Sequence, residues 1–511
     1  TFTAATKRGM TTLLSRGYCA SLDTDALVLA HKKKLAAILS GESAQKEKDG
    51  KTVTSIPTAN GLDQEIAGPL AREKQLQRLA NEEFDLLVIG GGVVGTATAV
   101  EAASRGLKVA IVDKADFASG TSSRSTKLIH GGVRYLEQAF TQLDYSMIHL
   151  VKEALHERTH MIDSCDYMNK PLPILIPIST WWEIPYMWVG VKMYEFFAGK
   201  TNNVPKAYYM NREETIAKFP ELDAKKLQLK GAIVYFDGQM NDSRHTVALA
   251  LTAADDGAAV ANYVKVEDLV HDANTHKVSG AVVSDTFSGN KFTIKARAVV
   301  NAAGPFADQI RKMDDPASPE LIVPAAGSHL SLPAGICPED MGMLIPKTPD
   351  GRLLFFLPWE NGIIAGTTDS KSEVVDIPVP DAKDVDFIIE VMNLYLKTPL
   401  THKDVKSVWA GLRPLVKDPN VEGTAKLSRN HVVLTSDNGL VSVMGGKYTT
   451  HRQMAEDTIN AVLGVVPKEQ FSVKDEEKLT RSVTYRMPIY GANDLTTIAG
   501  RKDYDIIHTI L

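Results

Sequence analysis

Cysteine is nearly absent from this 511-residue chain: only Cys19, Cys165 and Cys337 occur, far apart and without a C-x-x-C pair. That excludes a disulfide-stapled scaffold and a cysteine zinc site, and it suits a reducing compartment. No apolar run approaches the roughly 20 residues that a membrane-spanning helix needs. A basic surplus is missing too, because the formal net charge is −5. General nucleic-acid binding is thereby excluded, since phosphate affinity comes from clustered Lys and Arg. A local basic site for a small anion is not. There is also no D-x-[DN]-x-[DN]-G run of the kind that wraps calcium. What is present is soluble composition, 44% hydrophobic and 23% charged, in a length that accommodates two or three domains.

Acidic residues are absent from Thr1 to Leu22, where Lys7, Arg8 and Arg16 stand among several Ser and Thr. A basic, hydroxyl-rich, acid-free stretch has the composition of an organelle transit peptide, and equally of a disordered tail. The polar character continues, so residues 1–83 read as leader and linker. Within Val151–His160, His156, Glu157 and His160 match H-E-x-x-H, which on a helix can hold zinc and place a general base for peptide hydrolysis. A third ligand is lacking: no G-x-x-H follows, and Pro171, Pro173 and Pro177 separate the motif from Glu183. The segment reads as a charged helix.

The strongest local signal is FDLLVIGGGVVG, Phe84–Gly95. An apolar run, Leu86 to Ile89, has the look of a buried parallel strand and enters Gly90, Gly92 and Gly95 in G-x-G-x-x-G register. An Ala-rich helix from Thr96 to Ser104 and a second strand, Lys108 to Val112, complete the unit within about 30 residues. Gly90 makes the turn, Gly92 lets a pyrophosphate reach the backbone, and Gly95 lets helix pack on strand. Asp113 is placed to bind ribose hydroxyls, and the helix N-terminus favours phosphate. Farther on, Ala258–Val266 is expected to be a strand that includes Val264. Val278–Thr286 and Lys291–Val300 form a hairpin leading to a small-residue turn at Asn301–Pro305, with Gly304. Leu440–Gly446 is another strand, ending in paired glycines. Glycine turns recurring so late suit an interrupted FAD domain.

The motifs then become specific. TSSRSTKLIHGGVRYLE (Thr121–Glu137), EALHER (Glu153–Arg158), YFDGQMNDSR (Tyr235–Arg244), NAAGPFAD (Asn301–Asp308), GSHL (Gly327–Leu330), PWENGIIAGTTD (Pro358–Asp369), GLRPL (Gly411–Leu415) and GGKYTTHR (Gly445–Arg452) follow in order. From about Phe84 to past residue 460, the chain resembles the FAD-dependent, quinone-linked glycerol-3-phosphate dehydrogenases, their mitochondrial members especially. The resemblance implies an α/β fold: an FAD-binding Rossmann-like domain of the glutathione-reductase/glycine-oxidase type, interleaved with an antiparallel-sheet substrate domain. FAD segments are expected at about 84–170, 231–310 and 405–460, substrate segments at about 171–230 and 311–404. Residues 461–511 would begin a C-terminal helical domain that looks truncated. The implied reaction is oxidation of sn-glycerol 3-phosphate to dihydroxyacetone phosphate, with hydride transfer to FAD and electrons passed to a quinone. The implied location is the mitochondrial inner membrane, facing the intermembrane space, with peripheral membrane contact; a plastid leader would have similar composition. A homodimer is compatible with the family.

Carried over residue by residue, the resemblance puts the substrate phosphate on Arg134 and Arg413, with Lys447 nearby, Tyr135 flanking and Arg429 a further pocket arginine. His329 takes the position of the general base, and His130 is a second candidate that would otherwise contact the flavin beside Gly131. Thr121, Ser122, Ser123 and Lys127 would bond the flavin or its phosphates, and Gly446 would approach the cofactor. The chemistry agrees. A phosphomonoester carries nearly two negative charges, which Arg forks match well. Loss of hydride from a secondary alcohol needs a base for the hydroxyl proton, commonly His.

Arg124 departs from the family pattern, adding charge to a loop where a small residue is common. Trp181–Phe197 concentrates aromatics, as either an interfacial amphipathic helix or core packing. Four rival readings remain: an oxygen-using amine or amino-acid oxidase of the same fold, a nicotinamide-dependent dehydrogenase, the zinc peptidase, and a flavin-bearing scaffold without activity.

Overall fold

The structure, a computed structural model, describes residues 71–132, 145–346, 348, 351–417, 427–428 and 430–492. Two sheets organise them. The first is built on a parallel core. Glu83–Ile89 lies between Val109–Val112 on one side and Lys291–Asn301 on the other, and Ala259–Ala261 and Val441–Gly445 extend it at either end. Strands buried on both faces explain why Leu86, Leu87, Val88, Ala110 and Ile111 are all fully buried. The helix Val93–Ser104 covers one face, packed among the helices Asp242–Asp255 and His451–Val465. The expected hairpin is present as Val278–Asp285 and Lys291–Asn301.

The second sheet is mostly antiparallel. Ile322–Pro333 pairs with Ser407–Lys417 and with Gly362–Gly366, while Lys170–Ile178 pairs with Gly231–Gln239. Two stretches expected on the FAD side, 231–239 and 407–417, are therefore strands of this second sheet.

Other details depart from the sequence reading. Ala258–Val266 is two strands, Ala259–Ala261 and Val264–His271, broken where Tyr263 turns to φ +52°. Residues 72–81, read as linker, form the helix Arg72–Asn81. It buries Gln75 and Leu79, four apart and so on one face, and Arg72 bonds Asp285 at 2.5 Å. Residues beyond 460 continue the first sheet's core: Phe471, Leu479 and Ile489 pack in the same cluster as Val88 and Val100.

Candidate active site

At the carboxyl ends of Glu83–Ile89 and Lys291–Asn301, the chain leaves in opposite directions, one to each side of the sheet. Such a switch point is where open α/β sheets take ligands. Gly90 sits there at φ +113°, and a Cβ on it would stand 2.5 Å from the carbonyl oxygen of Ala302. A Cβ on Gly95 would lie 1.8 Å from the Gly90 oxygen, so helix and turn touch because neither residue has a side chain. Gly304, at φ +55°, faces open space. Asp113 accepts the Gly91 amide at 2.6 Å and the Ala115 amide at 2.8 Å. Burial raises its pKa against those amides. The Val264 amide donates to the Asp113 carbonyl at 2.7 Å, tying the next strand to the turn. These features form a cradle whose walls a Cβ would fill, and they fit the dinucleotide half of FAD.

The Thr121–Lys127 loop joins this cradle to the second sheet. The hydroxyl of Ser122 accepts the Val93 amide at 2.9 Å, at the start of the glycine-turn helix, beside Gly92. Thr121 Oγ1 donates to the Leu412 carbonyl at 2.7 Å, and Ser123 Oγ to that of Gly120. Lys127, at φ +61°, places Nζ 2.8 Å from Asp242 Oδ1. Asp242 is fully buried and also accepts the Ser125 amide and hydroxyl and the Ser243 amide. Arg124 rests on Gly411 and reaches the Ala410 carbonyl at 3.4 Å.

On the second sheet, three residue pairs share one face of adjacent strands: His329 with Trp409, Gly327 with Gly411, and Ala325 with Arg413. His329 stacks on Trp409 with ring centroids 5.3 Å apart and planes 7° off parallel. Its Nε2 lies 2.9 Å from Thr126 Oγ1 of the loop. A Cβ on Gly366 would meet His329 Cδ2 at 2.6 Å, and one on Gly327 would meet the Arg413 guanidinium at 2.5 Å. Glycine on three neighbouring strands thus clears a wall against which His329 and Arg413 lie. Burial, then the charges of Arg413 and Lys127, press the His329 pKa down to about 3. The imidazole is neutral at physiological pH. Arg413 is anchored to Thr367 Oγ1, the Thr368 carbonyl and Asp369, and its half-buried fork remains partly open to solvent.

The structure thus brings His329, Arg413 and Lys127 into one electrostatic environment, while Gly90, Gly92, Gly95, Asp113, Val264 and Gly304 form the neighbouring cradle. His130 is held at about 4 by burial and by Lys447. Gly131 donates its amide to Tyr194 Oη at 2.7 Å; that hydroxyl donates to buried Asp237, which also pairs with Arg158. Gly446 adopts φ +73° beside Met454. Arg134, Tyr135 and Arg429 lie outside the described residues. Sequence reasoning did not single out Asp242, Thr126, Trp409 or the three wall glycines. Asp242 lies within the motif YFDGQMNDSR, one position after Asn241, which caps its helix.

The H-E-x-x-H helix has a different role. Glu157 accepts three bonds from Arg452 at 2.8–3.0 Å, both side chains buried. His156 and His160 stack on Tyr485, and His160 Nδ1 meets the Tyr485 carbonyl. Among the described residues no cluster has the makings of a metal site.

Known proteins share this fold. A family model described as FAD dependent oxidoreductase matches residues 85–452. The mitochondrial glycerol-3-phosphate dehydrogenase of Rattus norvegicus is 49% identical over 399 residues, 77% of this chain and 54% of that protein. Its Saccharomyces cerevisiae counterpart is 44% identical over 430 residues, covering 78% and 66%. This chain therefore spans about half the length of the mammalian relatives it matches. Among solved structures, the glycerol-3-phosphate dehydrogenase of Bacillus halodurans, complexed with FAD, superposes with a TM-score of 0.62 at 31% identity, over 81% of this chain and 70% of that one. A glycine oxidase of Geobacillus kaustophilus, at 20% identity and TM-score 0.56 over 76% and 96%, shares the fold.

Proposed function

The chain belongs to the FAD dependent oxidoreductase family, and from that premise we propose that it oxidises sn-glycerol 3-phosphate to dihydroxyacetone phosphate with FAD as hydride acceptor. The observation that carries this reading is the neutral His329, stacked under Trp409 on a glycine-cleared wall between two cations. Bound FAD supplies the acceptor for the substrate's hydride. The protein's own groups do the rest. Arg413, held on one side by Thr367 and Thr368, exchanges its exposed Asp369 partner for a phosphate oxygen pair. Lys127 adds a second positive charge near the imidazole. Burial, together with those charges, keeps His329 unprotonated before substrate arrives. A phosphate dianion offsets them, which raises the imidazole's proton affinity when the hydroxyl proton must be taken. Lys447 acts on the same pocket through His130, and Arg134, Tyr135 and Arg429 complete the phosphate grip.

The nucleotide-binding and substrate-binding parts follow the two sheets. Electrons leave to a membrane quinone, and the protein acts in mitochondria, at the inner membrane on the intermembrane-space side, as a homodimer. The mitochondrial relatives support the organelle. No described helix is long and apolar enough to cross a membrane; the membrane contact in this reading is peripheral. The helix Glu183–Ala198 supports it: Trp181, Trp182, Tyr186, Val189 and Phe196 are all exposed.

The test is anaerobic addition of sn-glycerol 3-phosphate to the purified yellow protein, which is expected to bleach. Colour without bleaching would leave a flavoprotein and remove the substrate. His329→Ala should slow flavin reduction more than it weakens binding; reduction at the parental rate would overturn the base assignment.

A further inference from the structure

The strand Ile322–Pro333 works on both of its faces. Gly327 and His329 stand on the reaction wall, while Ser328, Leu330 and Leu332 alternate to the other side. There Leu330 and Leu332 pack in one cluster with Ile388, Ile389 and Met392 of the helix Ala382–Asn393. Asp381 caps that helix, accepting the Lys383 amide at 3.0 Å. Asp384 is buried in the first turn, where the helix dipole favours a carboxylate. It accepts three hydroxyls from the sheet. Ser328 Oγ at 2.6 Å and Thr368 Oγ1 at 2.7 Å share Oδ2, and Ser370 Oγ reaches Oδ1 at 3.2 Å. Because Thr368 Oγ1 donates to Asp384, it presents a lone pair to the Ser328 amide, which donates to it at 3.0 Å. The Thr368 carbonyl in turn accepts both Nη1 and Nη2 of Arg413 at 3.1 Å. From behind the wall, one carboxylate thus holds the residue that seats Arg413 and the residue that precedes His329.

We propose that Asp384 is a positioning residue for the reaction: it fixes the Thr368 carbonyl and the Ser328 backbone, so that the Arg413 guanidinium and the His329 imidazole keep the spacing that a phosphate and a carbinol require. The inference rests on the reaction proposed above. Asp384 lies on the far side of the strand from both groups and acts only through them. Hydrogen bonds to a carboxylate are roughly twice as strong as neutral ones, and here they hold two hydroxyl rotors in one orientation. Without that acceptor the Thr368 hydroxyl turns away from the Ser328 amide, and the turn that carries the carbonyl loosens. A misplacement of about 1 Å at such a group lowers a rate by up to about a hundredfold. Asn in place of Asp384 keeps an oxygen for Ser328 and Thr368 and directs its amide to Ser370, whose hydroxyl accepts it.

The test is anaerobic flavin reduction of the FAD-loaded protein by sn-glycerol 3-phosphate, resolved into a half-saturating concentration and a limiting rate. Asp384→Ala should raise the half-saturating concentration about tenfold and slow the limiting rate by about tenfold, with FAD content parental. Asp384→Asn should recover most of both. In an Arg413→Met background, Asp384→Ala should change the half-saturating concentration by less than about twofold, because the carbonyl it steadies no longer holds a guanidinium. Parental kinetics in Asp384→Ala would overturn the role. A full loss in the Arg413→Met background would show a general disturbance, and Asp384→Asn as impaired as Asp384→Ala would show an effect of charge; either refutes positioning through these bonds. If Asp384→Ala does not retain FAD, Thr368→Val, which removes the shared hydroxyl and keeps the carbonyl, takes its place in the same comparison, and parental kinetics there overturn the role equally. A parent that keeps its colour with sn-glycerol 3-phosphate would remove the reaction and the role together, whereas a parent that bleaches beside unimpaired variants would remove the role alone.

Discussion

Replacing Glu157 by Gln separates the two readings of the H-E-x-x-H helix. Glu157 and Arg452 lie almost wholly out of water, with side-chain exposures of 1% and 7%, and share three hydrogen bonds. Breaking a buried ion pair from one side costs about 3–5 kcal/mol. Arg452 retains Glu456 at 2.6 Å, and the new amide still accepts one N–H, so the expected loss is at the lower end, about 3 kcal/mol. Titration leads to the same size. Burial pushes the Glu157 carboxyl up, but His156 and Arg452 outweigh it and hold it at about 2 against an ordinary 4.5. That gap corresponds to about 3 kcal/mol. Because the folded-state pKa is depressed, this stabilisation is complete above pH 4.5 and disappears as pH falls towards 2. Thermal unfolding of the flavin-loaded variant at neutral pH should therefore begin roughly 3–6 °C below the parent, while flavin reduction measured well below the transition stays parental. An unchanged melting temperature would refute the ion-pair account. Unchanged melting together with stoichiometric zinc and lost activity would restore a metal site.

Gly95→Ala places a methyl 1.8 Å from the Gly90 oxygen, so the helix must lift from its turn; the purified variant should carry little or no FAD, read by absorbance. Asp242→Asn keeps the shape but removes the charge opposite Lys127; it should cost about 3 kcal/mol and release FAD on dilution, detected as a rise in flavin fluorescence. Burial, more than the His160 charge, holds His451 at about 4 despite its bond to the Tyr448 carbonyl. Its contribution is intact above pH 6.5 and lost as pH falls towards 4, so melting temperature should drop between pH 7 and 5, and less steeply in His451→Gln. Arg413→Met removes a charge that depresses His329; the KM for sn-glycerol 3-phosphate should rise at least tenfold, and the acid limb of the pH–rate profile should move towards neutrality.

What was legible in the sequence was local. The run FDLLVIGGGVVG carries strand, turn and helix in one window, and the structure shows Gly90 in a positive-φ turn and Gly95 packing the helix on that turn. The hairpin at 278–301 was readable for the same reason, since Ser288-Gly289-Asn290 marks its turn. The helix 72–81 was missed because its buried face is only Gln75 and Leu79 among charged residues. The wall around His329 and Arg413 was reachable only through resemblance. Its strands pair across separations of about 40 to 80 residues, and no local pattern reveals that Gly327, Gly366 and Gly411 will stand side by side. Asp242 was hidden likewise, because its burial depends on a loop more than a hundred residues earlier.

The parallel pairing of Lys291–Asn301 with Val441–Gly445 also sets a timetable. On a ribosome making about 5–20 residues per second, the later strand emerges roughly 7–30 s after the earlier one. Throughout that interval Val300 and Asn301, at the buried end of the strand, lack their parallel partners Val441 and Ser442. Hairpin 278–301 can form early, yet the glycine cradle's neighbour is not sealed until residues 441–445 have been made. The sheet beneath the glycine cradle is thus completed only once residues 441–445 have emerged.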